Sequence, residues 1–293
     1  MISVIIPVYN AEEFLPSLFE SIKIQNLDKN LFEVLFVDNS SIDSSHMIIQ
    51  EFIENNKEYQ LKYFHYSKKA SSYAARNYGV KRAVGEILAF TDSDCIPEND
   101  WLENIYNELK DNTDIIISGK VELFLDDKEN IWENFDKTVH MRNDIRVQKN
   151  QVATANMAVR KDIFLELGFF SEVKSGGDFA WAENAVQLNK EIVYKENITV
   201  LHPSRKEFTE IEKKMKRLAF GEGQLYKEKD RGLVRGILKG VLRLIYLPKH
   251  IYISRNMYSN VGLAGVTKFN ILYFYLKLEQ LFSFVKGYSA ADE

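Results

Sequence analysis

Two aspartates separated by one serine, Asp92 and Asp94, close the stretch EILAFTDSDC at residues 86–95. Carboxylates at this spacing repel each other unless a cation lies between them. A hard divalent ion, Mg²⁺ or Mn²⁺, held by one or two carboxylates and completed by substrate phosphates, removes the repulsion, so the pair suggests a metal–diphosphate site. The same residues also suit a solvated turn or a helix cap. Taken alone, the pair leaves both readings open.

The position of the pair narrows the choice. Ile87 to Phe90 form an apolar run that predicts a buried strand, and in open parallel sheets ligands bind beyond the carboxyl ends of strands. The surrounding chain predicts such a sheet. ISVIIPV (residues 2–8) precedes a helical spacing at Phe14, Leu15, Leu18, Phe19 and Ile22. FEVLFV, LKYFHY and EILAF follow in turn, with helices expected from about Asp43, Ser71 and Glu98. Strands alternating with helices imply an α/β fold, a mostly parallel sheet flanked by helices.

From 114 to 200 the alternation loosens. DIIISGKVELF predicts one or two strands, TANMAVR a short strand, KDIFLELG a helix closed by Gly168, and DFAWAENAVQLNK a helix running into EIVY. Beyond about Glu207 nearly everything is helical, which places a domain boundary near Ser204: a body at 1–204 and a helical C-terminal region at 205–293.

Composition supports a folded globular chain, with 45% hydrophobic and 27% charged residues. The single cysteine, Cys95, excludes an intramolecular disulfide and a cysteine-built zinc site. No basic region precedes an apolar stretch at the N-terminus, so no signal peptide is expected, and no charge-free run is long enough for a transmembrane helix. The expected location is therefore cytoplasmic.

Net charge is −4, but residues 205–293 hold 17 Lys and Arg against 9 Asp and Glu, and residues 1–204 hold 21 against 33. The basic end contains RGLVRGILKGVLR, in which Arg231, Arg235, Lys239 and Arg243 recur every four residues beside Gly232, Gly236 and Gly240. The remaining positions are apolar. A basic stripe beside an apolar face suits a helix lying on an anionic membrane, which would place the protein peripherally on the inner face of the cell membrane. It equally suits a helix packed on the body, and the glycines leave self-association as a homo-oligomer open. Membrane attachment predicts binding to anionic vesicles that high salt releases. No feature calls for nucleic acid.

Four ordered motifs, SVIIPVYN, VDNSSIDSS, SSYAARNYGVKRAVGEILAFTDSDC and TANMAVRKDIF…LGFF…SGGDFAWAENAVQLNKEIVY, resemble family 2 glycosyltransferases with the GT-A, or Rossmann-like, fold. The resemblance covers roughly residues 2–203. It implies that Pro7, Tyr9, Asn10 and Glu12 border the nucleotide and that Asp38 contacts its base. Arg76 and Asn77 then bind the donor, with Asp92 and Ser93 beside the ribose. Asp94, Asp92 and His202 become the metal ligands, and a divalent cation the cofactor. Asp178 falls where relatives carry the base that deprotonates the acceptor, with Gly176, Gly177 and Trp181 on the acceptor side.

The implied function is metal-dependent, inverting transfer of a sugar from a nucleoside diphosphate, UDP being the expected nucleotide. The acceptor would be a hydroxyl of a saccharide or lipid-linked saccharide, in surface polysaccharide or glycan assembly. The chain departs from the family pattern two and six positions after the base, where Ala180 and Asn184 replace an acidic residue and an arginine. That departure keeps a second reading in view, a non-catalytic nucleotide-sugar-binding or scaffold subunit of a membrane-associated assembly.

Overall fold

The computed structural model describes residues 1–245 and 247–290, with the side chains of all of these except 244–260. The helical expectation for 205–293 also takes in residues 246 and 291–293, which lie outside the described residues.

Strand β1 (Ile2–Val8) leads through α1 (Leu15–Lys23) into β2 (Phe32–Asp38). Both strands are buried at every position, as mostly apolar runs covered on both faces require, with the buried Ser3 and Glu33 hydrogen-bonded to each other. Helix α2 (Ser45–Asn55) leads to β3 (Gln60–His65), whose mostly half-buried residues mark a sheet edge. Helix α3 (Ser72–Val80) is capped by Ser71, whose Oγ accepts from the Ala74 amide. It returns the chain to β4 (Ile87–Thr91), again buried throughout.

A two-residue strand β5 (Ile96–Pro97) and α4 (Trp101–Leu109) follow, then β6 (Ile115–Phe124) as one strand. Two helices that the sequence reading did not anticipate, α5 (Ile131–Val139) and α6 (Asn143–Val147), precede β7 (Asn156–Arg160). Helix α7 (Lys161–Leu167) ends at Gly168, whose φ of 85° suits a residue without a Cβ. Helix α8 (Gly177–Gln187) and β8 (Glu191–Pro203) complete the α/β succession. The C-terminal helices are α9 (Phe208–Glu228), α10 (Leu233–Ile245) and α11 (Leu247–Ser289), the last broken at Gly262.

The sheet runs β3-β2-β1-β4-β7-β6-β8-β5. Its first four strands are parallel, while β7 lies antiparallel to both β4 and β6, and β5 antiparallel to β8. Strand order reverses between β1 and β4, which opens a crevice beyond their carboxyl ends.

The chain divides into two compact units. The first is Met1–Glu122 with Arg142–Glu172 and Asp178–His202, and it contains the parallel half of the sheet. Its core joins Ile5, Leu35 and Phe90 to Phe164, Phe170 and Trp181.

The second unit is Leu123–Met141, Val173–Gly177 and Pro203–Glu293. Here α5, α9 and α11 pack through Trp132, Phe135, Met215, Phe269 and Tyr273. A buried carboxylate, Asp136, ties the segments together: it meets His140 Nδ1 at 2.5 Å, Arg205 Nη1 at 3.0 Å and Lys214 Nζ at 3.2 Å. The glycine stripe has a packing role. A Cβ on Gly236 would strike the Phe284 ring and one on Gly240 would strike Leu281, so these glycines let α10 lie close on α11. Gly232 stands outside the helix with φ 74°, so the stripe is two residues long rather than three.

Candidate active site

Parallel register fixes which residues share the ligand-facing end of the sheet. Val8 lies level with Asp38, Asp38 with His65, and Ile5 with Phe90. The chain leaves β4 at Thr91, so Asp92 and Asp94 emerge beside the ends of β1 and β2. Thr91 anchors this exit by donating its Oγ1 to the Ala155 carbonyl at 3.1 Å.

Ligand atoms of Asp92, Asp94 and Cys95 lie within 4.8 Å of one another. Arg76 Nη2 forms an ion pair with Asp92 Oδ1, and His202 Nε2 stands 3.4 Å from Asp94 Oδ2. His202 belongs to β8 itself rather than to the segment after it, and Leu201 beside it pairs with Ile96 of β5. Two atoms here are buried without a hydrogen-bond partner, Asp94 Oδ1 and Arg76 Nε.

An orphaned carboxylate oxygen beside a second carboxylate is a donor set that fits a hard divalent cation. Cys95 adds no ligand of that kind. Burial, and then Asp94 and Asp92, push its thiol well above the usual range, so it stays protonated. The oxygens that fit are therefore those of Asp92 and Asp94, which suit Mg²⁺ or Mn²⁺ better than a soft metal, with the His202 imidazole standing against Asp94.

Asp178 sits at the start of α8 and is only 6% exposed. Its Oδ1 accepts from the Tyr73 hydroxyl at 2.8 Å and the Phe179 amide at 2.9 Å, and its Oδ2 accepts from the Thr154 amide at 3.2 Å. A carboxylate accepts up to about four hydrogen bonds, so the position left over is on Oδ2. Burial draws the Arg146 pKa downward, opposed by the Asp178 carboxylate.

The sequence reading missed Tyr73, Thr154 and Arg146. Tyr73 was within reach: it precedes Arg76 by three residues on α3, which puts both on one face, and the Arg76 guanidinium lies 5.5 Å from its ring centroid.

At the end of β2, Asp38 is 1% exposed and accepts from the Ser41 amide at 2.8 Å and the Tyr63 hydroxyl at 2.9 Å. Burial, then the hydrogen bond to Asp38, raises the Tyr63 pKa, so Tyr63 remains a donor. Pro7 is buried, Tyr9 is 61% exposed, and Ser93 is half-buried.

Several expected contacts have other partners. Asn10 Oδ1 accepts from the Ile42 amide at 2.9 Å and Glu12 Oε2 from the Ser44 amide at 2.8 Å. Both side chains therefore fasten the loop after β1 to the loop after β2. Asn77 clips the Phe170 backbone through its amide and its carbonyl, at 2.9 and 3.0 Å.

Trp181 lies in the core, stacked on Phe164, with its Nε1 given to the Gly168 carbonyl at 2.7 Å. At 1% exposed it has no open face for an acceptor. Gly176 takes a φ of 87° in the second unit, and Gly177 opens α8. Ala180 is buried, and Asn184 donates to the Leu167 carbonyl at 3.1 Å.

Parallel strands 3-2-1-4, an acidic pair beyond β4 and an antiparallel extension define a GT-A glycosyltransferase. The sequence profile described as Glycosyl transferase family 2 matches residues 3–168, and the chain belongs to that family. It is 32% identical over 254 residues to Glycosyltransferase AglE of Haloferax volcanii, covering 85% of this chain and 82% of that one. It is 29% identical over 185 residues to the Minor teichoic acid biosynthesis protein GgaB of Bacillus subtilis, covering 60% of this chain and 20% of that longer protein. Among solved structures, the mannosyltransferase PcManGT of Pyrobaculum calidifontis, in complex with GDP-Man and Mn²⁺, superposes with a TM-score of 0.68 at 16% identity. That match covers 100% of this chain and 88% of the other. The protein is thus a glycosyltransferase of the family 2 type.

Proposed function

We propose that the protein is an inverting, divalent-cation-dependent glycosyltransferase that moves a sugar from a nucleoside diphosphate to a hydroxyl of a saccharide or lipid-linked saccharide. The region 1–204 would carry donor binding and catalysis, and 205–293 would meet an anionic membrane surface. One observation carries the catalytic reading: a single helix, α3, holds both Arg76, which pairs with Asp92, and Tyr73, which holds Asp178.

In this reading Asp94, Asp92 and His202 hold Mn²⁺ or Mg²⁺, which when bound offsets the negative charge of the diphosphate as it departs. Arg76, with an unpartnered Nε, places a second cation at the same leaving group. Asp178 takes the proton of the acceptor hydroxyl on its open Oδ2 position while that oxygen attacks C1 of the donor sugar. The new O–C1 bond forms as the C1–O(phosphate) bond breaks on the opposite side, so configuration inverts and the nucleoside diphosphate leaves. Asp38 would accept N–H donors of the base.

Two experiments test this. Asp178→Asn is expected to abolish transfer while leaving donor affinity nearly unchanged, and full transfer by that variant would refute the assignment. Calorimetric titration of UDP, GDP and dTDP with and without Mn²⁺ is expected to show metal-dependent binding of one nucleotide, lost in Asp94→Ala. UDP follows from the sequence resemblance and GDP from the PcManGT complex, so the same titration decides between them.

A further inference from the structure

Arg146 lies on α6 with its guanidinium 5.0 Å from the ring centroid of Phe179. Phe179 follows Asp178 and donates its amide to that carboxylate. Four residues earlier on the chain, Arg142 gives its Nε and Nη2 to Asp144 at 3.0 and 2.7 Å. Arg146 has no such partner: among the described residues no carboxylate stands within ion-pair distance of it. Asp178 acts on it only from farther away, and burial pulls its pKa down.

A half-buried guanidinium laid on an aromatic ring with no carboxylate at ion-pair distance keeps its charge available to an arriving anion. Its planar fork matches carboxylate and phosphate geometry. The donor diphosphate would be met by Arg76 and by the cation that Asp92 and Asp94 would hold, whereas Arg146 stands beside the residue that meets the acceptor. A cation next to a general base opposes proton uptake unless a negative charge offsets it, and a charged acceptor supplies that offset.

We propose that Arg146 is a specificity-determining residue: it receives an anionic group, phosphate or carboxylate, that the acceptor carries close to its reacting hydroxyl. The inference rests on Asp178 as the base.

The test is calorimetric titration of inorganic phosphate, and separately of methyl glucuronide, into protein saturated with Mn²⁺ and whichever of UDP or GDP it binds, so that the diphosphate site is filled. At least one anion is expected to bind, and Arg146→Gln to weaken it by about tenfold or more, with Arg146→Lys intermediate and nucleotide affinity unchanged in both. Phosphate alone would indicate a phosphate-bearing acceptor, glucuronide alone a uronic acid. Absence of binding of either anion to the wild type, or equal binding by folded Arg146→Gln and Arg146→Lys, overturns the proposal. The two failures are distinguishable: a wrong acceptor assignment leaves Asp178→Asn inactive, whereas an active Asp178→Asn overturns the base and the anion site together.

Discussion

Tyr73 donates a side-chain hydrogen bond to the Asp178 carboxylate, whose other anchors are the Phe179 amide on the same oxygen and the Thr154 amide on the opposite one. Its ring also lies beside Arg76, which pairs with Asp92. Removing the hydroxyl and keeping the ring separates these two roles. Tyr73→Phe keeps the Arg76 contact and the core in place but leaves Asp178 held by the Phe179 and Thr154 amides alone. A hydrogen bond to a charged group contributes roughly 1.5–3 kcal/mol, so turnover is expected to fall about tenfold or more with the donor KM unchanged. A rise in donor KM at constant kcat would mean that Tyr73 serves the nucleotide side instead. Thr154 shows why residue types alone did not complete this site: it contributes a backbone amide, which any residue but proline supplies. Asn10, Glu12 and Asn77 show the converse, polar side chains at suggestive positions that the fold uses on its own loops.

At the scale of elements, the parallel half of the sheet was legible because β1, β2 and β4 are short, mostly apolar runs, each joined to a helix of clear periodicity. Helix α5 was not. Ile131, Trp132, Phe135 and Val139 form a helical stripe, but the buried face also carries Glu133, Asn134 and Asp136, and the partners that complete Glu133 and Asp136 include residues 69 to 78 positions along the chain. Glu133 accepts from Ser204, and Asp136 is surrounded by His140, Arg205 and Lys214. No local pattern reveals such compensation.

This cluster has a pH signature. Burial opposes the Asp136 charge, but Lys214, His140 and Arg205 hold its pKa far below the usual carboxylate range. Burial, then Lys214, lowers His140 to about 3, against the pull of Asp136. The unfolded chain binds a proton at this histidine near pH ~6.5, and the folded chain does not until about pH 3. Stability from His140 is therefore complete above the unfolded value and declines as pH falls through that window, by up to about 1.4 kcal/mol per unit. Below about pH 4 the unfolded aspartate also takes up a proton that folded Asp136 refuses, and the loss steepens. Melting temperature is expected to drop between pH 6.5 and 4, and His140→Gln to flatten that slope while lowering stability at neutral pH. An unchanged slope in the variant would assign the effect to other groups.

For the whole molecule, the outstanding matter is what the C-terminal helices face. Among the described residues no helix is long and apolar enough to cross a membrane. Glycines 236 and 240 are packed within the chain, which removes that stripe as a contact for a second copy. The other face of α10 is open: Val234, Leu238, Val241 and Leu242 are between 41% and 70% exposed, and their spacing places them on one side. Acidic residues are absent from α10. Lys239 and Arg243 reach Glu222 at 3.2 and 2.8 Å, one carboxylate for two cations, so the helix keeps a positive excess. In an anionic interface, each buried aliphatic side chain contributes up to roughly 1.5–3 kcal/mol and each basic residue about 1 kcal/mol. With four open apolar side chains the apolar contribution is the larger, so salt is expected to weaken attachment rather than abolish it. Vesicles containing phosphatidylserine should therefore sediment the protein at low salt and retain a fraction of it near 1 M salt, where the Debye length is about 3 Å. Leu238→Glu with Leu242→Glu should release it at both, with Mn²⁺-dependent nucleotide binding intact. Complete release of the wild type by salt would make the contact purely electrostatic, and equal sedimentation of the double variant would remove this face of α10 from the contact.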